Sequence, residues 1–167
     1  RCVVDIIDFQ SQADGDYKFI MIYQDYLTKF LILNPLETKT SQEIEDRIIS
    51  SFSNIGPPKV LQFNKGNEFC NNFKNLKTIC PDLKIIYDDP LHDKFLGSIR
   101  KANQDIRKML KTWMKDNPGK NWSIEIKMFQ LMKNQTYNSE TKQVPFEAVF
   151  GHNSQNGFAS TNLSPDV

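Results

Sequence analysis

Cys2-Val3-Val4-Asp5-Ile6-Ile7-Asp8-Phe9 is the stretch on which the fold turns. Val3, Val4, Ile6 and Ile7 are β-branched and fit an extended backbone, so a run this apolar has the pattern of a central strand rather than of an amphipathic helix. Asp5 lies inside it, where a carboxylate has no obvious packing role. Working outward, Gln12-Ala13-Asp14-Gly15-Asp16 is turn chemistry, and residues 17–23 (YKFIMIY) form a second strand, pairing with the first as a hairpin. Residues 27–33 read as a third strand, ended by Asn34-Pro35 because proline cannot donate to a sheet ladder. Thr40 then caps a helix whose Ile44, Ile48, Ile49 and Phe52 recur at helical spacing, and Gly56-Pro57-Pro58 stops it.

The second half alternates strands with helices. Residues 59–63 are a short buried strand, Phe69, Phe73 and Leu76 suggest a helix to about Thr78, and residues 83–87 (LKIIY) are a fifth strand. From Phe95 the pattern turns helical, with Ile99, Ala102, Ile106, Leu110 and Trp113 on one apolar stripe. Asn117-Pro118-Gly119 breaks that helix; residues 122–137 and 144–150 are helical again. Three hairpin-linked strands followed by strands with helical crossovers imply an α/β domain, a mixed five-stranded sheet flanked by helices. Residues 1–151 are read as one domain and the polar residues 152–167 as a linker or tail. The abrupt start at Arg1, close to a strand and without an initiating Met, reads as an excerpt from a longer protein.

The net charge of +1 argues against a strongly basic nucleic-acid binder, but its distribution is uneven. Residues 1–46 carry four Lys/Arg against nine Asp/Glu, and residues 94–133 carry ten against three. Arg100, Lys101, Arg107, Lys108, Lys111 and Lys115 all lie off the apolar stripe of the long helix, so the positive excess has a definite face. The plain reading of that face is a solvated helix surface. Cys2, Cys70 and Cys80 contain no C-x-x-C pair, and with His92 and His152 alone to join them a structural zinc site is not expected. No leader or membrane-spanning run is read, so an intracellular, reducing setting is expected.

Thr141-Lys142-Gln143-Val144-Pro145-Phe146-Glu147-Ala148-Val149-Phe150-Gly151 resembles the T-x-x-x-P-[FY]-E-x-[VL]-[FY]-G ending of retroviral and Ty3-type integrase catalytic cores. The resemblance runs from about Cys2 to Gly151 and implies a ribonuclease H-like fold. Such integrases use three carboxylates, because two divalent metals, Mg or Mn, must clamp the attacking and leaving oxygens of a phosphodiester. Position by position, the first Asp matches Asp5. The second falls in Leu61-Gln62-Phe63-Asn64-Lys65-Gly66-Asn67-Glu68-Phe69, similar to L-Q-S-D-N-G-x-E-F, and is here Asn64. The third falls in Gly97-Ser98-Ile99-Arg100-Lys101-Ala102-Asn103, similar to G-x-[VI]-E-R-x-N, and is here Arg100. The 35 residues between Asn64 and Arg100 match the family's spacing.

A guanidinium at the third position brings positive charge where two cations should bind. The resemblance therefore implies the fold without the activity: no functional catalytic residues, no cofactor, and Asp5 as the one residual metal candidate, more simply read as a strand acid hydrogen-bonded within the fold. The leading expectation is a transposon-derived core adopted by a host, similar to the integrase-like domains of vertebrate proteins that also carry KRAB or SCAN domains. That implies a nuclear protein, a homodimer, unidentified protein partners, and contact with DNA through Arg100, Lys101, Arg107, Lys108 and Lys111. Two alternatives stand beside it. One is an active metal-dependent polynucleotidyl transferase with substitute ligands among Asp8, Glu68, Asp88, Asp89 and Asp93; the other is a decaying element that still folds as a monomer.

Overall fold

A computed structural model describes residues 1–64, 73–87 and 93–153. The five strands occur in the anticipated sequence: β1 (Cys2–Asp8), β2 (Phe19–Asp25), β3 (Leu31–Leu36), β4 (Val60–Phe63) and β5 (Lys84–Tyr87). They form one mixed sheet in the order β3-β2-β1-β4-β5, antiparallel at β1–β2 and β2–β3, parallel at β1–β4 and β4–β5. The opening stretch is thus the central strand. Among the described residues five α-helices accompany the sheet, α1 (Ser41–Ile55), α2 (Lys74–Ile79), α3 (Asp93–Asp116), α4 (Trp122–Gln135) and α5 (Pro145–Phe150), together with a short 3-10 helix at Gln10–Gln12.

Alternation along β1 divides the core in two. Cys2 and Val4 face a cluster with Tyr23, Ile44, Ile48, Phe52, Leu61 and Phe63, under α1 and α2. Val3 and Ile7 face the other, with Ile22, Leu33, Ile99, Ile106, Leu110 and Trp122, under α3 and α4. The predicted stripe of α3 is its buried face: Ile99, Ala102, Ile106 and Leu110 are buried and Trp113 packs against them. Thr40 caps α1 as anticipated, its Oγ1 accepting from Glu43 N at 3.4 Å. The N-terminus of α4 is instead served from a distance, by Asp14 accepting from Ser123 N at 2.9 Å and Ser123 Oγ at 2.7 Å. Burial pushes the Cys2 thiol up to about 12, keeping it un-ionised in the core.

Two strands lie further along than the sequence suggested, β2 at Phe19–Asp25 and, more markedly, β3 at Leu31–Leu36. Residues 26–29 are a turn rather than the start of β3, because Asp25 accepts from Thr28 N at 2.8 Å and Thr28 Oγ1 at 2.7 Å, and Lys29 takes a left-handed φ of 64°. Pro35 then sits inside β3, opposite Ile20, which an edge strand tolerates because the missing N–H need not serve a ladder.

That edge is closed by side chains. Asn134 of α4 accepts from Leu31 N at 2.9 Å and donates to Leu31 O at 2.8 Å, Gln130 accepts from Leu33 N at 2.8 Å, and Lys127 donates to Leu33 O. Helix α4 therefore meets the outward-facing backbone groups of β3 as a sixth strand would. The tail read from residue 152 lies, from residue 154 onward, outside the described residues, as do Cys70 and His92.

Candidate functional site

Asp5, Gln62 and Asn64 share the α3 side of the sheet, since β1 and β4 run parallel and Asn64 N extends their pairing by donating to Val4 O at 3.0 Å. Helix α3 packs across β1 there and brings Asn103 to the same point. The site is thus built from two strands and one helix.

Asp5 is buried, 7% exposed, and its carboxylate is engaged by amides. Asn64 Nδ2 donates to Oδ2 at 2.9 Å, Asn103 Nδ2 donates to the same oxygen, and Ile6 N donates to Oδ1 at 2.9 Å. A buried carboxylate is costly unless hydrogen-bonded, and these three donors contribute to meeting that cost. Asn103 was not singled out as functional from the sequence. It lies three residues after Arg100, less than one helical turn on, in the segment already aligned with the family, and its own motif position was the available signal.

Hard divalent cations require anionic oxygens converging from several elements. At this site one carboxylate meets two amide nitrogens, which cannot ligate a cation, while Arg100, the residue that the resemblance sets at the third position, is exposed on α3. Among the described residues no three His, Cys, Asp or Glu side chains converge as a metal cluster. The described side chains gathered at this site do not make the donor set of a two-metal centre. Of the substitute acids, Asp8 is three residues from Asp5 on a strand and therefore on the opposite face; its oxygens accept from Gln10 N and Nε2, both at 3.0 Å. The Gln10 backbone N–H is the main reason its carboxyl lies below the ordinary Asp range. Glu68, Asp88 and Asp89 lie outside the described residues, as does the side chain of Asp93.

The residues proposed for nucleic-acid contact share one side of α3. At 100° per residue, Arg100, Lys101, Arg107, Lys108, Lys111 and Lys115 fall within about 120° of its circumference, opposite the buried stripe. Arg100, Lys101, Lys108 and Lys111 are exposed; Arg107 is half-buried and donates to the Asp8 carbonyl at 3.1 Å. Lys101 lies 3.5 Å from Glu140. No helix among the described residues is long and apolar enough to cross a membrane.

No family model matches the chain. It is 39% identical over 163 residues, 97% of its length, to human KRAB-A domain-containing protein 2, of which it spans 33%. It is 23% identical over 159 residues to the Pro-Pol polyprotein of Simian foamy virus type 1, covering 95% of this chain and 14% of that protein. The chain thus spans about a third or less of these relatives. Among solved structures, it matches the HTLV-2 integrase catalytic core domain in complex with magnesium, in a trimeric form, with a TM-score of 0.71 at 15% identity, over 89% of this chain and 94% of that one. The dimeric form of the same domain gives 0.68 at 16% identity, over 87% and 92%. The simian T-cell lymphotropic virus intasome in complex with PP2A regulatory subunit B56 gamma gives 0.74 at 13%, over 87% and 52%.

Proposed function

We propose that this integrase-core-like domain, with Asp5, Asn64 and Arg100 read at the three positions where integrase carboxylates would stand, is a catalytically inactive binding module. It associates with a second copy and holds nucleic acid without cutting or joining it, with residues 1–151 as its folded unit and a nuclear setting to match.

The observation that carries this reading is the state of Asp5, whose Oδ2 accepts from both Asn64 and Asn103. With two amide donors on that oxygen, a cation would have to displace at least one of them to bind there. The basic side of α3 supports the nucleic-acid half of the proposal, since ammonium and guanidinium groups on one helix face suit the spacing of backbone phosphates. Self-association is supported by the HTLV-2 cores, described in dimeric and trimeric forms, and a protein partner by the simian intasome with its PP2A subunit.

The test is calorimetric titration of the purified chain with Mg²⁺ and Mn²⁺ beside an Asn64→Asp, Arg100→Glu double variant. The wild type is expected to take up no cation at concentrations where the variant does. Comparable uptake by the wild type, abolished by Asp5→Ala, would sink the proposal and put a metal-dependent strand-transfer enzyme in its place.

A further inference from the structure

The turn between β2 and β3, one flank of α3, the end of α4 and the turn that follows it enclose a polar cleft of about 190 Å³. Three ammonium groups line it, from Lys29, Lys101 and Lys133, against two carboxylates, from Asp105 and Glu140. Lys133 and Asp105 satisfy one another at 2.8 Å. The other pairing is looser: Glu140 lies 3.7 Å from Lys29 and 3.5 Å from Lys101, beyond the usual range of a charge-assisted hydrogen bond.

Lys29 gives the cleft its character. It is 8% exposed, held in the left-handed region at φ 64° by Asp25 O accepting from its N–H at 3.0 Å, and its ammonium rests 4.4 Å over the Tyr26 ring. A buried ammonium needs an anion beside it. Glu140, 45% exposed in a turn, supplies one that water competes for.

We propose that this cleft is a binding site for one phosphate-class oxyanion, which displaces Glu140 and bridges Lys29 and Lys101. A tetrahedral oxyanion brings more acceptor oxygens than the carboxylate it replaces and at neutral pH at least as much charge. The space suffices, since a water takes up about 30 Å³. The oxyanion is either free phosphate or a backbone phosphate of a strand lying along α3, where Lys101 is shared. The site stands on its own geometry; the strand as its source rests on the function proposed above.

The experiment is a titration of the 167-residue chain with inorganic phosphate at ionic strength held constant with chloride, read at the backbone amide resonances of Lys29, Lys101 and Glu140. Saturable shifts at these residues are expected. Glu140→Gln, which removes the competing carboxylate, should bind about tenfold tighter, and Lys101→Met about tenfold weaker, as expected for one charge-assisted bond gained or lost. Both positions are exposed, so the variants fold even where Lys29→Met does not. Shifts that rise linearly without saturating, or a Glu140→Gln variant that binds no tighter than the wild type, overturn the proposal. With saturation established, a single-stranded oligonucleotide that displaces phosphate from these residues identifies a backbone source, and one that leaves them unmoved identifies the free anion.

Discussion

Two carboxylates are buried among the described residues, Asp5 at 7% exposure and Glu45 at 1%, and each accepts hydrogen bonds from backbone and side-chain amides. Glu45 ties α1 to α2: Oε1 accepts from Leu76 N at 2.8 Å and Oε2 from Asn75 Nδ2 at 3.0 Å. Asp5 ties β1 to β4 and α3 with the same kind of bonds. Their surroundings differ. Both oxygens of Glu45 are matched by adjacent residues of one helix, whereas beside Asp5 the carbonyl oxygen of Asn103 and both amide atoms of Gln62 are buried without hydrogen-bond partners. Incomplete satisfaction of this kind marks a polar site whose present occupants fill it imperfectly. Glu45 teaches what a purely structural acid looks like, and Asp5 approaches that condition without reaching it.

Removing Asp5 tests the likeness most severely. Asp5→Ala leaves three donors unmatched and is expected to lower the unfolding free energy by about 3 kcal/mol, measured by urea denaturation. In a working metal centre, deleting one of several crowded carboxylates raises apo stability instead, so an increased urea midpoint would break the comparison. Glu45→Ala comes next, at about 2 kcal/mol in the same assay, because two donors lose their partner. Asn64→Asp sharpens the contrast from the other side, by setting a second carboxylate against the first. It should cost about 1 kcal/mol at pH 7, and because one acid of such a pair has its pKa raised, the loss fades as pH falls through that raised value and grows as pH rises. The smallest effect belongs to exposed Asp8. Its carboxyl lies below the ordinary range, chiefly through the Gln10 N–H, so its contribution is present above the ordinary Asp pKa and is lost as pH falls through the lowered one. Asp8→Ala should give a slight drop in urea midpoint at pH 7 and none at a pH below both values.

The elements of the fold were legible because their signals are local: β-branched runs, the Thr40 cap, the stripe from Ile99 to Leu110. The start of β3 was not, since apolar Leu27 and Phe30 argue for a strand while Asp25 and Thr28 bond the chain into a turn, and a side chain's bond to nearby backbone outweighs propensity there. At the site, Asp5 and Asn64, which the sequence connected only through the family resemblance, lie within hydrogen-bond distance because β1 and β4 pair in parallel. The sequence did not reveal that Asn103 completes the cluster, which depends on the rotation of α3 over the sheet, nor that Lys29 and Glu140 face each other across 111 positions of chain. Contacts between distant turns leave no periodic trace.

The closing of β3 by α4 has a consequence for how this protein behaves at high concentration. A bare sheet edge is a template on which another chain can add a strand, and repeated addition is the route to fibrils. Here Lys127, Gln130 and Asn134 occupy the backbone groups that such templating would use. The sheet's other edge, β5, is four residues long. An α4 deprived of these side chains would turn the longer edge into a seed, so the same helix that roofs the second core also guards the molecule against aggregation.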